Sequence, residues 1–169
     1  MNDVEQIKKL LDLQPHPAEG GFFAETYRSE DTIAKAHLPE RYGGERSMGT
    51  AIYYMVTPES FSAMHSLESD EVFHFYLGDP VEMLQLYPDG SGAVLTLGTD
   101  LSSGMRPQIT VRRGVWQGLR LAPGGRYALL GATVAPGFDF RDFGIGERDA
   151  LLAAYPAFPD MIKALTHVT

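Results

Sequence analysis

The chain contains no cysteine, which excludes a disulfide framework, a thiolate nucleophile and any Cys-type zinc site. Cationic side chains are scarce as well: 14 Lys and Arg stand against 22 Asp and Glu, for a net charge of −8. Nucleic-acid and anionic-membrane surfaces need clustered Lys and Arg, and Arg112, Arg113 and Arg120 are too few to make one. No run approaches the ~20 apolar residues needed to span a bilayer. The N-terminus, Met1 to Gln6, is polar and acidic rather than basic followed by an apolar run, so a secretory signal is not expected there. A soluble cytoplasmic protein that binds neither nucleic acid nor membrane is the expectation.

Glycine and proline, by contrast, are plentiful, 18 and 11 in 169 residues. They are spread among short apolar runs, and turn residues about every 8–12 positions between such runs indicate an all-β sandwich or barrel. The length suits one domain spanning 1–169. Asn2 or Asp3 is placed to cap a first helix whose stripe is Val4, Ile7, Leu10, Leu11 and Leu13, and Pro15 and Pro17 stop it. Glu19-Gly20-Gly21 reads as a turn whose glycines permit positive φ, leading into a strand from Phe22 to Ser29. Residues 30–48 lack a period and read as a long loop, in which Arg41, Tyr42, Glu45 and Arg46 either cover a pocket mouth or form a solvated excursion. From Glu147 the pattern turns helical: Leu151, Leu152 and Tyr155, then a last helix opened by Pro159.

The stretch from Met64 to Gly78 is where chemistry is expected. Alternation on a strand puts His65 and Leu67 on one face. After the turn Glu68-Ser69-Asp70 it groups Glu71, Phe73, Phe75 and Leu77, with Val72, His74 and Tyr76 opposite. If the first set points inward, an imidazole and a carboxylate converge in an apolar interior, where an unpartnered polar group costs about 2–7 kcal/mol. Gln117 shares its face with Val115, Leu119 and Leu121 and is the third inward polar group. His74 and Trp116 fall outside the set.

The spacing His65, Leu67, Glu71, Gly78 resembles the first motif of the cupin superfamily, with Leu67 at the position of a second His. The stretch Arg112 to Gln117 resembles the second motif, with Gly114 in place, Arg112 where Pro is usual and Gln117 where His is usual. A narrower resemblance, to a family of short single-domain cupins of unknown function, rests on several stretches. These are Glu19 to Phe22, Glu25 to Ser29, Ser69-Asp70-Glu71, Gly114 to Gln117, and Val134-x-Pro136-Gly137-Phe138-x-Phe140-x-Asp142-Phe143. It implies a jelly-roll barrel of the sugar-nucleotide epimerase type (the RmlC-like double-stranded β-helix) and a homodimer; with the helical patterns above, the barrel is expected over about 19–143, between a short N-terminal helix and C-terminal helices over about 147–167.

The site expected from these readings has His65 as general base and Glu71 as its orienter or as an acid, because imidazole titrates near neutrality and burial raises a carboxyl. Gln117, Glu25, Tyr27 and Arg28 are candidate ligand-binding residues. Phe73 and Phe75 are candidates for an aromatic wall, with Trp116 and the pair Tyr53-Tyr54, of which either can face inward. His65, Glu71 and Gln117 also form a candidate set for a divalent transition metal, although with Leu67 and Gln117 at two His positions no tightly held one is expected. The function that follows is small-molecule binding, with epimerase- or isomerase-like proton transfer on a carbohydrate-like or other polar metabolite. A non-catalytic ligand-binding or storage-like cupin and a metal-dependent oxygenase or isomerase are the alternatives.

Overall fold

The computed structural model describes residues 4–167; the expected cap at Asn2 or Asp3 lies outside them. The chain opens with α1 (Val4–Leu10), β1 (Gln14–Pro15), β2 (Phe22–Arg28), β3 (Thr32–Ile33), β4 (Arg46–Ser47) and β5 (Thr50–Val56). It continues through β6 (Ser62–Leu67), β7 (Asp70–Gly78), β8 (Val81–Leu86), β9 (Gly92–Leu97), β10 (Gln108–Val111) and β11 (Trp116–Leu121). β12 (Ala128–Ala135) and β13 (Phe143–Ile145) complete the sheets, and α2 (Arg148–Ala154) and α3 (Pro159–Ala164) follow. Among the described residues no helix is long and apolar enough to cross a membrane.

Two antiparallel sheets carry the architecture, one in the order β1-β2-β5-β12-β7-β10 and the other β13-β6-β11-β8-β9. β6 and β7 follow each other in the chain yet lie in different sheets, so the turn between them crosses the barrel. His65 on β6 is paired with Gln117 on β11, whereas Glu71 on β7 lies between Val111 on β10 and Val134 on β12. The two strands therefore meet through the interior.

The inward faces fill the barrel with Val56, Phe73, Val81, Met83, Leu97, Leu119, Leu121 and Leu130. Removing one such side chain to Ala costs about 2–5 kcal/mol, because the cavity left behind collapses only in part. The outer faces are covered separately. Ile7 and Leu13 at the N-terminus pack on Met55, Tyr127 and Leu129 of the first sheet. Leu151, Tyr155, Ile162 and Leu165 of the C-terminal helices pack on Met64, Leu84 and Leu86 of the second. Val4, Ile7, Leu11 and Leu13 of the expected stripe are thus spent on their own sheet, whereas Leu10 is 70% exposed.

The 30–48 segment is more ordered than a plain loop. β3 and β4 form a short ladder, and Tyr42 is fully buried, its hydroxyl bonded to the Glu68 carbonyl and the Ser69 hydroxyl. Arg41 donates to the same Glu68 carbonyl at 2.9 Å. The segment braces the turn between β6 and β7 from behind and does not cover a pocket mouth.

Candidate functional site

Alternation carries His65 and Glu71 into the barrel from opposite sheets, and both are buried. They line a cavity of about 340 Å³, near the lower end of the roughly 300–1,000 Å³ typical of small-molecule sites. A third titratable group, Glu19, reaches the same place from the N-terminal turn. Gly20 and Gly21 both take positive φ, and a Cβ at Gly20 would meet the Phe61 carbonyl at 2.6 Å. Only glycine fits there. The turn is fastened by Tyr54, whose hydroxyl donates to the Gly20 carbonyl at 2.7 Å, and by the Ala63 amide, which donates to the Glu19 carbonyl at 2.7 Å. These contacts aim the Glu19 carboxylate inward.

Glu19 takes up one side of His65. The Nδ1–H of His65 is shared between the Ala63 carbonyl at 2.8 Å and Glu19 Oε2 at 3.0 Å. The Ser62 hydroxyl donates to the same oxygen at 3.2 Å, and His16 Nε2 stands 3.7 Å from Oε1. His16 Nδ1 accepts from the amides of Ala18 and Glu19, so its proton sits on Nε2, facing the acid. Burial lowers the His16 pKa against the pull of Glu19, and His65 lowers it further.

Burial alone would also lower the pKa of His65. The Glu19 charge and hydrogen bond, the Glu71 charge and the Ala63 carbonyl outweigh it and raise the pKa to about 9. Glu19 shows the converse: burial pushes it up, but the His65 charge and hydrogen bond bring its carboxyl below the ordinary value. Both shifts favour the imidazolium-carboxylate form of the pair. Glu71 is left with less. Burial and the Glu19 charge raise it to about 7, against the opposing pull of His65 and the Gln117 hydrogen bond. Gln117 Nε2 donates to Glu71 Oε2 at 2.6 Å, its one side-chain hydrogen bond among the described residues.

Gln117 therefore acts as a buried support behind Glu71 rather than as a wall of the cavity. Phe73 lies in the apolar core, and Phe75, half-buried, packs on that core; neither lines the cavity. The aromatic wall comes instead from Phe23 and from Phe138, Phe140 and Phe143, with Phe143 stacked on the His65 ring at 5.2 Å. Of the tyrosine pair, Tyr54 faces the core and Tyr53 packs edge-on against Tyr76 on the outside. Trp116 packs against the C-terminal helices, and His74 bonds to Thr133 and Gln108 away from the cavity.

Glu25 and Arg28 do line the cavity, but Tyr27 is 56% exposed outside it. The reason is a register shift between β2 and β5: Glu25 pairs with Ile52 and Tyr27 with Ala51, its neighbour. The extra residue breaks the period of two, so Glu25 and Arg28 fall together although three apart. Arg28 donates to Glu25 at 2.9 and 2.8 Å and to the Phe138 carbonyl at 3.1 Å from both terminal nitrogens.

His65, Glu71 and Gln117 do not fit a resident metal. Gln117 presents its amide N–H to Glu71, His65 directs Nδ1–H to Ala63 and Glu19, and an imidazolium has no lone pair to give. Among the described residues no three His, Asp or Glu side chains are grouped to hold an ion. Leu67 lines the cavity, so the usual His position points inward here but carries an apolar side chain.

A family model described as Cupin superfamily (DUF985) matches residues 5–146. The chain belongs to this cupin family. The cupin is 31% identical over 133 residues to the uncharacterized protein YML079W of Saccharomyces cerevisiae, covering 73% of this chain and 66% of that protein. It thus spans just under two thirds of that relative. Among solved structures it is similar to protein SO0799 of Shewanella oneidensis, with 32% identity, full coverage of both chains and a TM-score of 0.87. It is similar too to a hypothetical protein from Leishmania major, with 32% identity, 99% and 100% coverage and a TM-score of 0.89. The fold is the cupin double-stranded β-helix.

His16, Glu19 and the Phe138, Phe140 and Phe143 cluster are the site residues that strand alternation misses. Glu19 and the three phenylalanines do lie in the stretches that carry the narrower family resemblance. That was the available signal.

Proposed function

We propose that this cupin binds a small polar metabolite in the His65–Glu71 cavity and moves a proton on it, as an isomerase or epimerase does. Glu71 takes or returns the proton, and His65 donates from Nε2–H to the oxygen on which negative charge develops. The roles differ from the simplest expectation, in which His65 is the base: an imidazolium held by Glu19 has no free lone pair, whereas a carboxyl poised near 7 changes state readily at working pH. A buried carboxyl with one neutral donor, lining the same cavity as an imidazole held by Glu19, is the observation that carries the reading. Gln117 and Glu19 are positioning residues, and the cluster of Phe138, Phe140 and Phe143 excludes water.

The test is proton exchange. Ligands found by thermal shift among sugars, hydroxy acids and amines are incubated with the protein in D₂O, and loss of a C–H signal is followed by NMR. The wild type is expected to exchange at least one, and Glu71→Gln to slow it by about 10²-fold or more while calorimetry shows the ligand still bound. Exchange indifferent to Glu71→Gln would take the role of base away from Glu71, and ligands that bind without exchanging would leave the non-catalytic binding reading in its place.

A homodimer is proposed as well. Leu10, Tyr76 and Leu77 are exposed around an apolar groove beside α1, and β1, the edge strand beside β2, is only two residues long. Covering both across a two-fold axis removes an unpaired edge. Light scattering should give twice the 18.6 kDa chain mass; the monomer mass at micromolar concentration would contradict it.

A further inference from the structure

The charges around the cavity do not balance, and the imbalance says what kind of ligand it accepts. Arg28 reaches the mouth, yet each of its guanidinium nitrogens is already engaged by Glu25 or by the Phe138 carbonyl. Asp139 is matched by Arg141, which donates to both of its carboxylate oxygens at 2.9 and 2.7 Å. Glu19 is matched by His65. Glu71 is the acid left over. It is only 7% exposed, its one side-chain bond comes from the neutral Gln117 amide, and that bond uses Oε2 alone. His65 can neutralise one of the two acids beside it, so Glu19, His65 and Glu71 together carry one net negative charge once Glu71 ionises. His16 also lines the cavity against Phe140 and Phe143, but burial lowers its pKa and its Nε2 faces Glu19, so among the described residues the one fixed cation at the mouth is Arg28, already paired with Glu25.

The aromatic wall has the matching chemistry. Phe138 and Phe140 stand edge to face with centroids 5.0 Å apart, and Phe143 lies 6.4 and 6.1 Å from them. A cation held within about 6 Å of a ring centroid is attracted by the negative face of the ring, and this spacing lets one charge address more than one ring. Phe143 already carries His65 on one face.

We infer that the cavity is built for a small ligand bearing a positive charge, an amine or ammonium on a compact apolar body, and that Glu71 and the Phe138, Phe140 and Phe143 rings are the groups that select it. The inference deepens the proton-transfer reading by naming the charge of its substrate. It rests on that reading only for the claim of turnover, not for binding.

Three probes of the same shape test it by calorimetry on the intact protein at pH 8: cyclohexylamine, which is cationic, cyclohexanol, which is neutral, and cyclohexanecarboxylate, which is anionic. The expected order is amine first, by about tenfold or more over the alcohol, with the carboxylate weakest. Glu71→Gln should bring the amine down to the alcohol. Phe140→Ala, at a ring that is 54% exposed and so tolerant of truncation, should weaken the amine severalfold while moving the alcohol less. The inference is overturned if the alcohol equals the amine, if the carboxylate binds tightest, if none of the three binds at ~20 mM, a concentration that detects even millimolar affinity, or if a correctly melting Glu71→Gln keeps the preference. Deuterium exchange on an anionic or neutral compound would sink the charge inference and leave the proton-transfer reading standing, so the two fail separately.

Discussion

Two buried charge clusters hold this molecule, and they are built to different standards. Arg46, 2% exposed, donates to Asp142 at 2.7 and 2.5 Å and spends its remaining nitrogen on the carbonyls of Gly44 and Glu45 at 3.0 and 2.8 Å. Each guanidinium nitrogen and each Asp142 carboxylate oxygen has a partner, and the pair ties β4 to the segment that carries Phe138, Phe140 and Phe143. The Glu19, His65 and Glu71 cluster is satisfied only on the Glu19 side. Glu71 has one neutral donor, and its other oxygen has none among the described residues. A cluster in which every charged atom has a partner positions the chain. One that leaves a carboxyl poised between states has capacity left for a ligand.

Breaking the complete pair should cost most. Asp142→Ala strands a buried guanidinium, and the expected loss is about 3–5 kcal/mol, read by denaturant unfolding. The double variant Arg46→Met with Asp142→Leu should recover much of it, because no buried charge is then left without a partner. If the single change costs less than about 1 kcal/mol, within the usual range for an exposed pair, the claim that this pair is structural fails.

Glu19→Gln should come next, at about 1–3 kcal/mol, since it removes the charge that holds His65 protonated. Burial then dominates the ring, and its pKa should drop, which histidine NMR would register. An unchanged His65 titration would mean that Glu71 and Ala63 suffice without Glu19.

Glu71→Gln should perturb least near pH 5, where the wild-type carboxyl is protonated in the fold, and its effect should change with pH. Glu71 is raised from 4.5 to about 7 and His65 from 6.5 to about 9. A raised group contributes stability that is complete below its ordinary pKa and is lost as pH rises through the folded value. Glu71 therefore loses its share between about 4.5 and 7, and His65 between about 6.5 and 9. Glu19, lowered chiefly by His65 against burial, and Asp139, held down by its Arg141 hydrogen bonds, lose theirs as pH falls through the acid range. Thermal melts should peak in the weakly acidic range and decline toward pH 9. In Glu71→Gln the decline between about 5 and 7 should flatten, leaving the variant more stable than the wild type at pH 8. An equal slope in both proteins would show that Glu71 titrates at its ordinary value.

Strand alternation made part of this site legible. It places His65, Leu67, Glu71 and Gln117 inward and His74 outward, because side chains on a strand have only two directions. It says nothing of depth along the barrel, so Phe73 and Phe75 read as wall residues when they pack into or against the closed core. It fails at an inserted residue, which is why Arg28 joins Glu25 while Tyr27 points away. It is also silent on turns. Glu19 lies 46 positions before His65 and enters on a glycine pair whose direction is fixed by contacts with Tyr54 and Ala63, distant in sequence. The fold itself was legible from turn spacing and the motif resemblance, because both survive a change of ligand residues.

The central claim is that Glu19 keeps His65 charged and leaves Glu71 as the group that changes state. The most direct measurement is the NMR titration of the His65 ring in the wild-type protein, assigned among the five histidines by His65→Asn. The expected result is an imidazolium at pH 7.5 that loses its proton only near 9. A His65 ring that is neutral at pH 7.5 and titrates at or below 6.5 would contradict it, and would return the role of base to His65.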